Sequence, residues 1–283
     1  MHLSNTNFKP TPNTRAFTLV ELLAVIAIIS VLAALAMAGL GKIREHAKQT
    51  TEISAARNLI TAYNVYSSEN KGRLMPGQDD LFALKSSPVY NLQGQKLSYP
   101  VNARYPWRLA PYLGGVEGAL LINESIIESE KWRKSGNYDY MVSAYPSLGI
   151  NGTYIGTASV YKNAKGETLG YNDYSVQHAA NVVSPGRLIV FASAAGGDEQ
   201  GELVHGYLEV RAPYDAVKKT TWPSSPEDPK EPIMDHVHLR WNGRAVVAHL
   251  DGNVTLLNET ELRDMRRWAN PAAQANNPDW AGN

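Results

Sequence analysis

The sequence predicts an α+β chain, with one long N-terminal helix followed by a globular head built around an antiparallel β-sheet. Three observations lead there. Residues 22–40 carry no charged side chain. No proline, the residue that most reliably breaks a helix, occurs from 17 to 75. Near the C-terminus, "HVHLRWNGRAVVAHLDGNVTLL" (236–257) strings apolar and β-branched residues around an Asn-Gly and an Asp-Gly pair, the pattern of tight hairpins.

The N-terminal element comes first. Nineteen uncharged residues, 22–40, span about 28 Å as a helix, close to the roughly 30 Å of a bilayer's hydrocarbon. The stretch before it holds Lys9 and Arg15 and no acid, and the small residue Ala16 precedes the apolar run. A secretory signal has the reverse order, with its small-residue cleavage site behind a shorter apolar region. The apolar run is therefore expected to stay with the mature protein. Lys42, Arg44 and Lys48 follow it, so charge counting alone does not choose an orientation.

Glu21 sits inside this apolar region and needs an explanation. Thr18 and Glu21 fit a capping box, Thr18 as N-cap and Glu21 three residues on, with Phe17 and Leu22 at the staple positions. A cut between Ala16 and Phe17 adds a second reading. It creates an α-amino group one helical turn from Glu21, and in low dielectric an amine and a carboxylate attract strongly. In a bundle of identical helices, Glu21 of one chain meets the amine of the next and sets the register.

The segment "RAFTLVELLAVIAIISVLAALA" closely resembles the N-terminus of type IV prepilins and type II secretion pseudopilins. The resemblance covers about residues 9–40. It implies a leader, 1–16, cut before Phe17 by a prepilin peptidase that also methylates the new N-terminus. It implies a membrane-retained helix that later packs with its like in a filament. Ala16 and Phe17 are then the processing residues, and Thr18 and Glu21 serve assembly. The family usually has Gly where this chain has Ala16, and many members have a helix-loosening Pro where this chain has Ala38. Gly39 and Gly41 stand beside that position, and glycine loosens a helix by about 1 kcal/mol relative to alanine.

Behind the apolar run, 42–72 reads as an amphipathic helical stem. Leu59, Tyr63 and Tyr66 recur at helical spacing with Ala56 and Ile60 beside them, and Arg44, Lys48, Glu52 and Arg57 mark the wet side. Gly72 is the expected stop. The organisation is thus a leader (1–16), a transmembrane helix (17–41), a stem (42–72) and a head (73–283) that ends in a β-meander (236–257).

Within the head, "DDLFALKSSPVYNL" suggests a short helix, 107–113 a turn and helix, and a further helix begins near Asn123. Residues 186–194 and 201–210 read as a hairpin. Three strands follow at about 236–241, 244–250 and 253–257, both turns being of the type I′ kind. Asn258 or Thr260 caps a short helix, and the last residues form an extended tail. The stretch "NGRAVVAHLDGNVTLL" is similar to the terminal segment of large pilin-like proteins common in planctomycete and verrucomicrobial genomes. Those often carry a His separated by nine residues from an Asp-Gly pair, and here Trp241 holds the His position before Asp251-Gly252.

Composition narrows the function. The 283 residues hold 27 basic and 27 acidic side chains and no cysteine, which excludes disulfides and thiolate metal sites. Residues 1–72 carry 7 basic and 4 acidic side chains, and 73–283 carry 20 and 23. That mild asymmetry, with no basic patch interleaved with aromatics, does not indicate nucleic acid. His236 and His238 alternate on one strand near Asp235 and His249, without a metal-ligand spacing. Asp198, Glu199 and Glu202 crowd a Gly-rich turn and are the calcium candidates, though they do not match an EF-hand loop. No P-loop, dinucleotide fingerprint or nucleophile elbow is present.

The sequence therefore reads as a structural subunit, a pilin or pseudopilin, and not as an enzyme, with no cofactor. The partners it implies are a prepilin peptidase, copies of itself and other pilins, an inner-membrane assembly platform and membrane lipid. The location it implies is the bacterial inner membrane, crossed once, with the head outside the cytoplasm. The alternative is a membrane-anchored module that binds glycan or protein and uses the same anchor, for which the 15 Tyr and 6 Trp supply candidate contacts.

Overall fold

The computed structural model describes residues 17–79, 88–157, 160–162, 168–198, 201–226, 228 and 230–282. It is an α+β chain that divides into two compact units, Met1–Ala47 and Lys48–Asn283. One helix, α1 (Leu19–Glu69), contributes to both. The leader and Ala16 lie outside the described residues, as does most of the short helix expected after Asp79.

In the first unit, α1 begins as the capping signature requires. Its apolar side chains are exposed, Leu19 by 80%, Leu32 by 59% and Leu35 by 67%. None of its most apolar 18-residue window is buried within the protein. The helix passes through Gly39 and Gly41 unbroken, and nothing lies within 4 Å of where a β-carbon at Gly41 would stand.

In the second unit, α1 turns one stripe inward: Ala55, Ala56, Leu59, Ile60 and Tyr63 are buried. Buried side chains at i, i+4 and i+7 are what a helix packed on one face produces. The helix stops at a turn over Asn70–Gly72, where Lys71 and Gly72 both have positive φ and the Gly72 N–H returns to Ser67 O at 2.8 Å. Among the described residues, three short α-helices follow, α2 (Tyr105–Leu109), α3 (Glu124–Lys134) and α4 (Tyr138–Ala144).

The strands in chain order are β1 (Leu148–Asn151), β2 (Val160–Lys162), β3 (Thr168–Gly170), β4 (Ile189–Ser193), β5 (Gly196–Gly197), β6 (Leu203–Val204) and β7 (Glu209–Val210). They continue with β8 (Tyr214–Asp215), β9 (Thr220–Thr221), β10 (Ile233–Met234), β11 (Val237–His238), β12 (Arg244–His249) and β13 (Val254–Asn258). The main sheet has the order β13-β12-β4-β1-β7, antiparallel except where β7 joins β1. The remaining strands pair off as four two-stranded ribbons.

Several expectations are corrected here. The 186–194 strand exists as β4, but it pairs with β1 and β12 and not with the 201–210 segment. Leu203–Val204 pairs instead with Gly196–Gly197. The meander keeps its β12/β13 hairpin, in register from Arg244↔Asn258 to Ala248↔Val254. Its first strand, β11, pairs with β10, and β4 takes the other edge of β12. Every residue of β4 is buried, and a strand covered on both faces gains more from a central position than from an isolated hairpin. Asn242-Gly243 has positive φ at both residues, as type I′ demands, whereas at Asp251-Gly252 only the glycine does. The short helix expected after Asn258 is α5 (Glu259–Leu262), and the tail beyond it is not wholly extended, since α6 (Asn270–Gln274) forms there. Asn258 caps α5 through a capping box with Glu261.

The sheet is covered on both sides. On β12, Val246 and Ala248 belong to the core shared with α1, Trp107 and Phe191. Ala245 and Val247 belong to the opposite core, with Leu262, Trp268 and Trp280. Alternation along a strand sends successive side chains to opposite faces, so β12 is apolar throughout because both faces are dry.

Candidate functional site

The N-terminal site is local and its geometry follows from the capping box. Glu21 N–H donates to Thr18 Oγ1 at 3.2 Å. Thr18 N–H and its hydroxyl both donate to Glu21 Oε2, at 2.9 and 2.8 Å. Two of the helix's unsatisfied N–H groups are thereby met. Among the described residues, both bonds to the carboxylate fall on one oxygen, Oε2. Phe17, Thr18 and Glu21 are all exposed.

A second cluster lies where α1 joins the second unit, and it overturns the placing of Glu52 on the wet side. Glu52 is completely buried. Ser193 on β4 donates its hydroxyl to Glu52 Oε1. Trp241 Nε1–H donates to Oε2 at 3.0 Å. Arg240 Nη1 stands 3.9 Å from Oε2, and Ser193 Oγ also receives the Val246 N–H at 2.8 Å. Lys48 pairs with Glu124, and Asn123 Nδ2 donates to Lys48 O at 3.1 Å. The helix is thus tied to β4, to the β11–β12 link and to the start of α3. A signal for this was present, because Glu52, Ala56, Leu59 and Tyr63 share one helical face. Trp241 is the Nε1–H donor to the buried carboxylate.

The histidines divide their work. His236 stacks on Tyr207 with centroids 3.6 Å apart and planes 9° off parallel. His238 lies parallel to His205 at 5.9 Å, with Nε2 3.0 Å from Glu231 Oε2. His249 is held by Arg187 O at 3.0 Å and Thr255 Oγ1 at 2.9 Å. Burial keeps all four imidazoles below their ordinary pKa, and His238, with Arg240 and His205 adding to the effect, is pushed down to about 2. Each is a neutral ring at physiological pH.

Of the calcium candidates, Asp198 and Glu202 close a turn on themselves. Glu202 N–H donates to Asp198 Oδ1 at 2.9 Å and Asp198 N–H to Glu202 O at 2.9 Å. Glu199 lies outside the described residues. Among the described residues, no group of three His, Cys, Asp or Glu side chains is placed to hold a metal ion.

Residues 11–37 match the model of the prokaryotic N-terminal methylation motif. The match supports a pilin- or pseudopilin-type precursor and agrees with the resemblance read from the Phe-Thr-Leu-Val-Glu-Leu stretch. The helix that carries the motif is long and apolar enough to cross a membrane. No curated protein and no solved structure matches the chain.

Proposed function

We propose that this chain is processed between Ala16 and Phe17 and assembles through α1 as a subunit of a type IV pilus or type II secretion filament. The observation that carries the reading is the methylation motif at 11–37 on a helix whose apolar side chains, among the described residues of the first unit, are exposed. Such a surface is stable in lipid or against its like. Glu21 then serves two partners. Oε2 caps its own helix, and the carboxylate offers the positive end of a neighbour, the α-amine of Phe17, a counter-charge in a setting where an unpaired charge is costly. Gly39 and Gly41 soften the helix where it must adapt to packing.

The partners are a prepilin peptidase, further copies of the chain, an inner-membrane assembly platform and lipid. The action is assembly and not turnover. Co-expression with a prepilin peptidase, followed by intact-mass analysis and N-terminal peptide sequencing, tests it. The expected product lacks residues 1–16 and starts at methylated Phe17. A product that keeps its leader, or one cut behind the apolar run, contradicts the proposal.

A further inference from the structure

The head holds two cavities whose linings are joined by one ion pair. The larger, of about 560 Å³, is lined by Thr221, Asp228, Glu231, Asp235 and His236, with a glycine-rich wall from β5. The smaller, of about 230 Å³, is lined by Thr153, Tyr171, Glu209, Arg211, Asp215 and Lys218. Asp235 belongs to the first and Arg211 to the second, and their side chains meet at 3.2 Å. Small-molecule sites commonly run from about 300 to 1,000 Å³. The larger cavity falls inside that range, and the smaller lies on the other side of the Arg211–Asp235 pair.

The chemistry of the lining selects the ligand. Carboxylates line both cavities, and the cations Arg211 and Lys218 line the smaller one, so a ligand that spans the two meets both signs. A polycation meets Arg211 and Lys218; an anion meets Glu209, Asp215, Asp228 and Glu231. A metal ion lacks a set of ligands among the described residues. A neutral polyol fits both signs, because each hydroxyl donates to a carboxylate and accepts from a guanidinium, ammonium or phenol. His236, whose imidazole stacks on Tyr207 with centroids 3.6 Å apart, is among the residues that line the larger cavity. Aromatic faces of this kind pack apolar C–H surface while the rim stays wet. The ring is held there by a turn, Asp235-His236, with φ of 46° and 74°, a conformation two-residue hairpins ordinarily give to Asn-Gly.

We propose that the two cavities form one cleft that binds an uncharged oligosaccharide, with one sugar against His236 and the next across the Arg211–Asp235 pair. The proposal does not depend on filament assembly, and a head that binds sugar is compatible with either a filament tip or a single anchored copy.

The test uses the full chain in a non-glycosidic detergent. It is screened against neutral oligosaccharides, uronic-acid oligosaccharides, oligolysine, inorganic phosphate and calcium, with calorimetry on what binds. The expected result is binding of at least one neutral oligosaccharide in preference to every charged probe. Lys218→Ala combined with Asp228→Asn, both at the cleft surface, should weaken it at least tenfold, whereas Glu130→Gln on α3 leaves it unchanged. Hydrogen exchange on the bound wild-type chain should show added protection over 209–218 and 228–236. Failure of every neutral oligosaccharide overturns the proposal. So does preference for a charged probe, affinity indifferent to the double variant, or protection confined to other segments.

Discussion

Replacing Glu52 with alanine should unfold the head far more readily than its place on a charged-looking helix suggests. The carboxylate is completely buried and takes hydrogen bonds from Ser193 and Trp241, with Arg240 at 3.9 Å. Its loss leaves the Trp241 N–H without an acceptor. Ser193 can turn its hydroxyl towards Val246 O, at 3.4 Å. Arg240, only 11% exposed, loses its counter-charge. A buried donor left unsatisfied costs about 1–3 kcal/mol, and removal of one partner from a buried charged pair costs about 3–5 kcal/mol. These effects overlap, so about 3–5 kcal/mol is expected for Glu52→Ala. Glu52→Gln should cost roughly half, because one oxygen remains to accept while the amide hydrogens cannot serve Trp241. Urea unfolding of the full chain in detergent, followed by tryptophan fluorescence, measures the shift. Glu45→Ala, at an exposed helix position, is the control and should move stability by no more than about 0.5 kcal/mol. If Glu52→Ala behaves like that control, the reasoning from burial and hydrogen bonding is wrong.

Two other perturbations follow from the same structure. The neutral histidines make the head acid-sensitive: their folded pKa values lie below the ordinary 6.5, so the unfolded chain binds more protons. Stability is then full above pH 6.5 and is lost as pH falls below it, by at most about 1.4 kcal/mol per pH unit for each histidine that titrates. Carboxylates held low, such as Asp264 beside Arg266, act in the same direction. Comparison with His238→Phe therefore isolates one ring, and the variant's stability curve should fall less steeply between pH 6 and 4. Gly156→Ala places a β-carbon 2.5 Å from Leu74 O and 2.8 Å from the Met75 carbonyl carbon, at φ +63°. Backbone strain of that kind costs of the order of 1–3 kcal/mol, and thermal unfolding should show a drop of at least that size.

What could be read from the sequence was what is local. The Thr18–Glu21 capping box, the stop at Asn70–Gly72, the Asn242-Gly243 turn and the Asn258 cap are each decided by residues within four positions of one another. The buried stripe of α1 was legible for the same reason, since helical periodicity is fixed by the backbone. Sheet order was not legible. That β4 lies between β1 and β12 depends on covering Phe191 and its neighbours on two faces, which no neighbouring residue dictates. Glu52 was misplaced because residue type was read ahead of phase. Its spacing puts it on the dry face, and only the distant Ser193 and Trp241 make a carboxylate tolerable there. The cleft around Arg211 and Asp235 combines β7, β8, β9 and β10, strands of two residues each, too short to leave a periodic signal.

The absence of cysteine makes the central claim directly testable. A single cysteine is placed at Ile28, in the apolar part of α1, in cells that carry the prepilin peptidase and assembly platform. Sheared surface fibres are then oxidised and run without reductant. Packing of these helices against one another predicts a cross-linked dimer, the largest product one thiol per chain can give, and Glu21→Ala should abolish the dimer while the processed monomer stays in the membrane. Fibres that contain the chain yet give no cross-link at Ile28, or a dimer that persists in Glu21→Ala, would contradict the account.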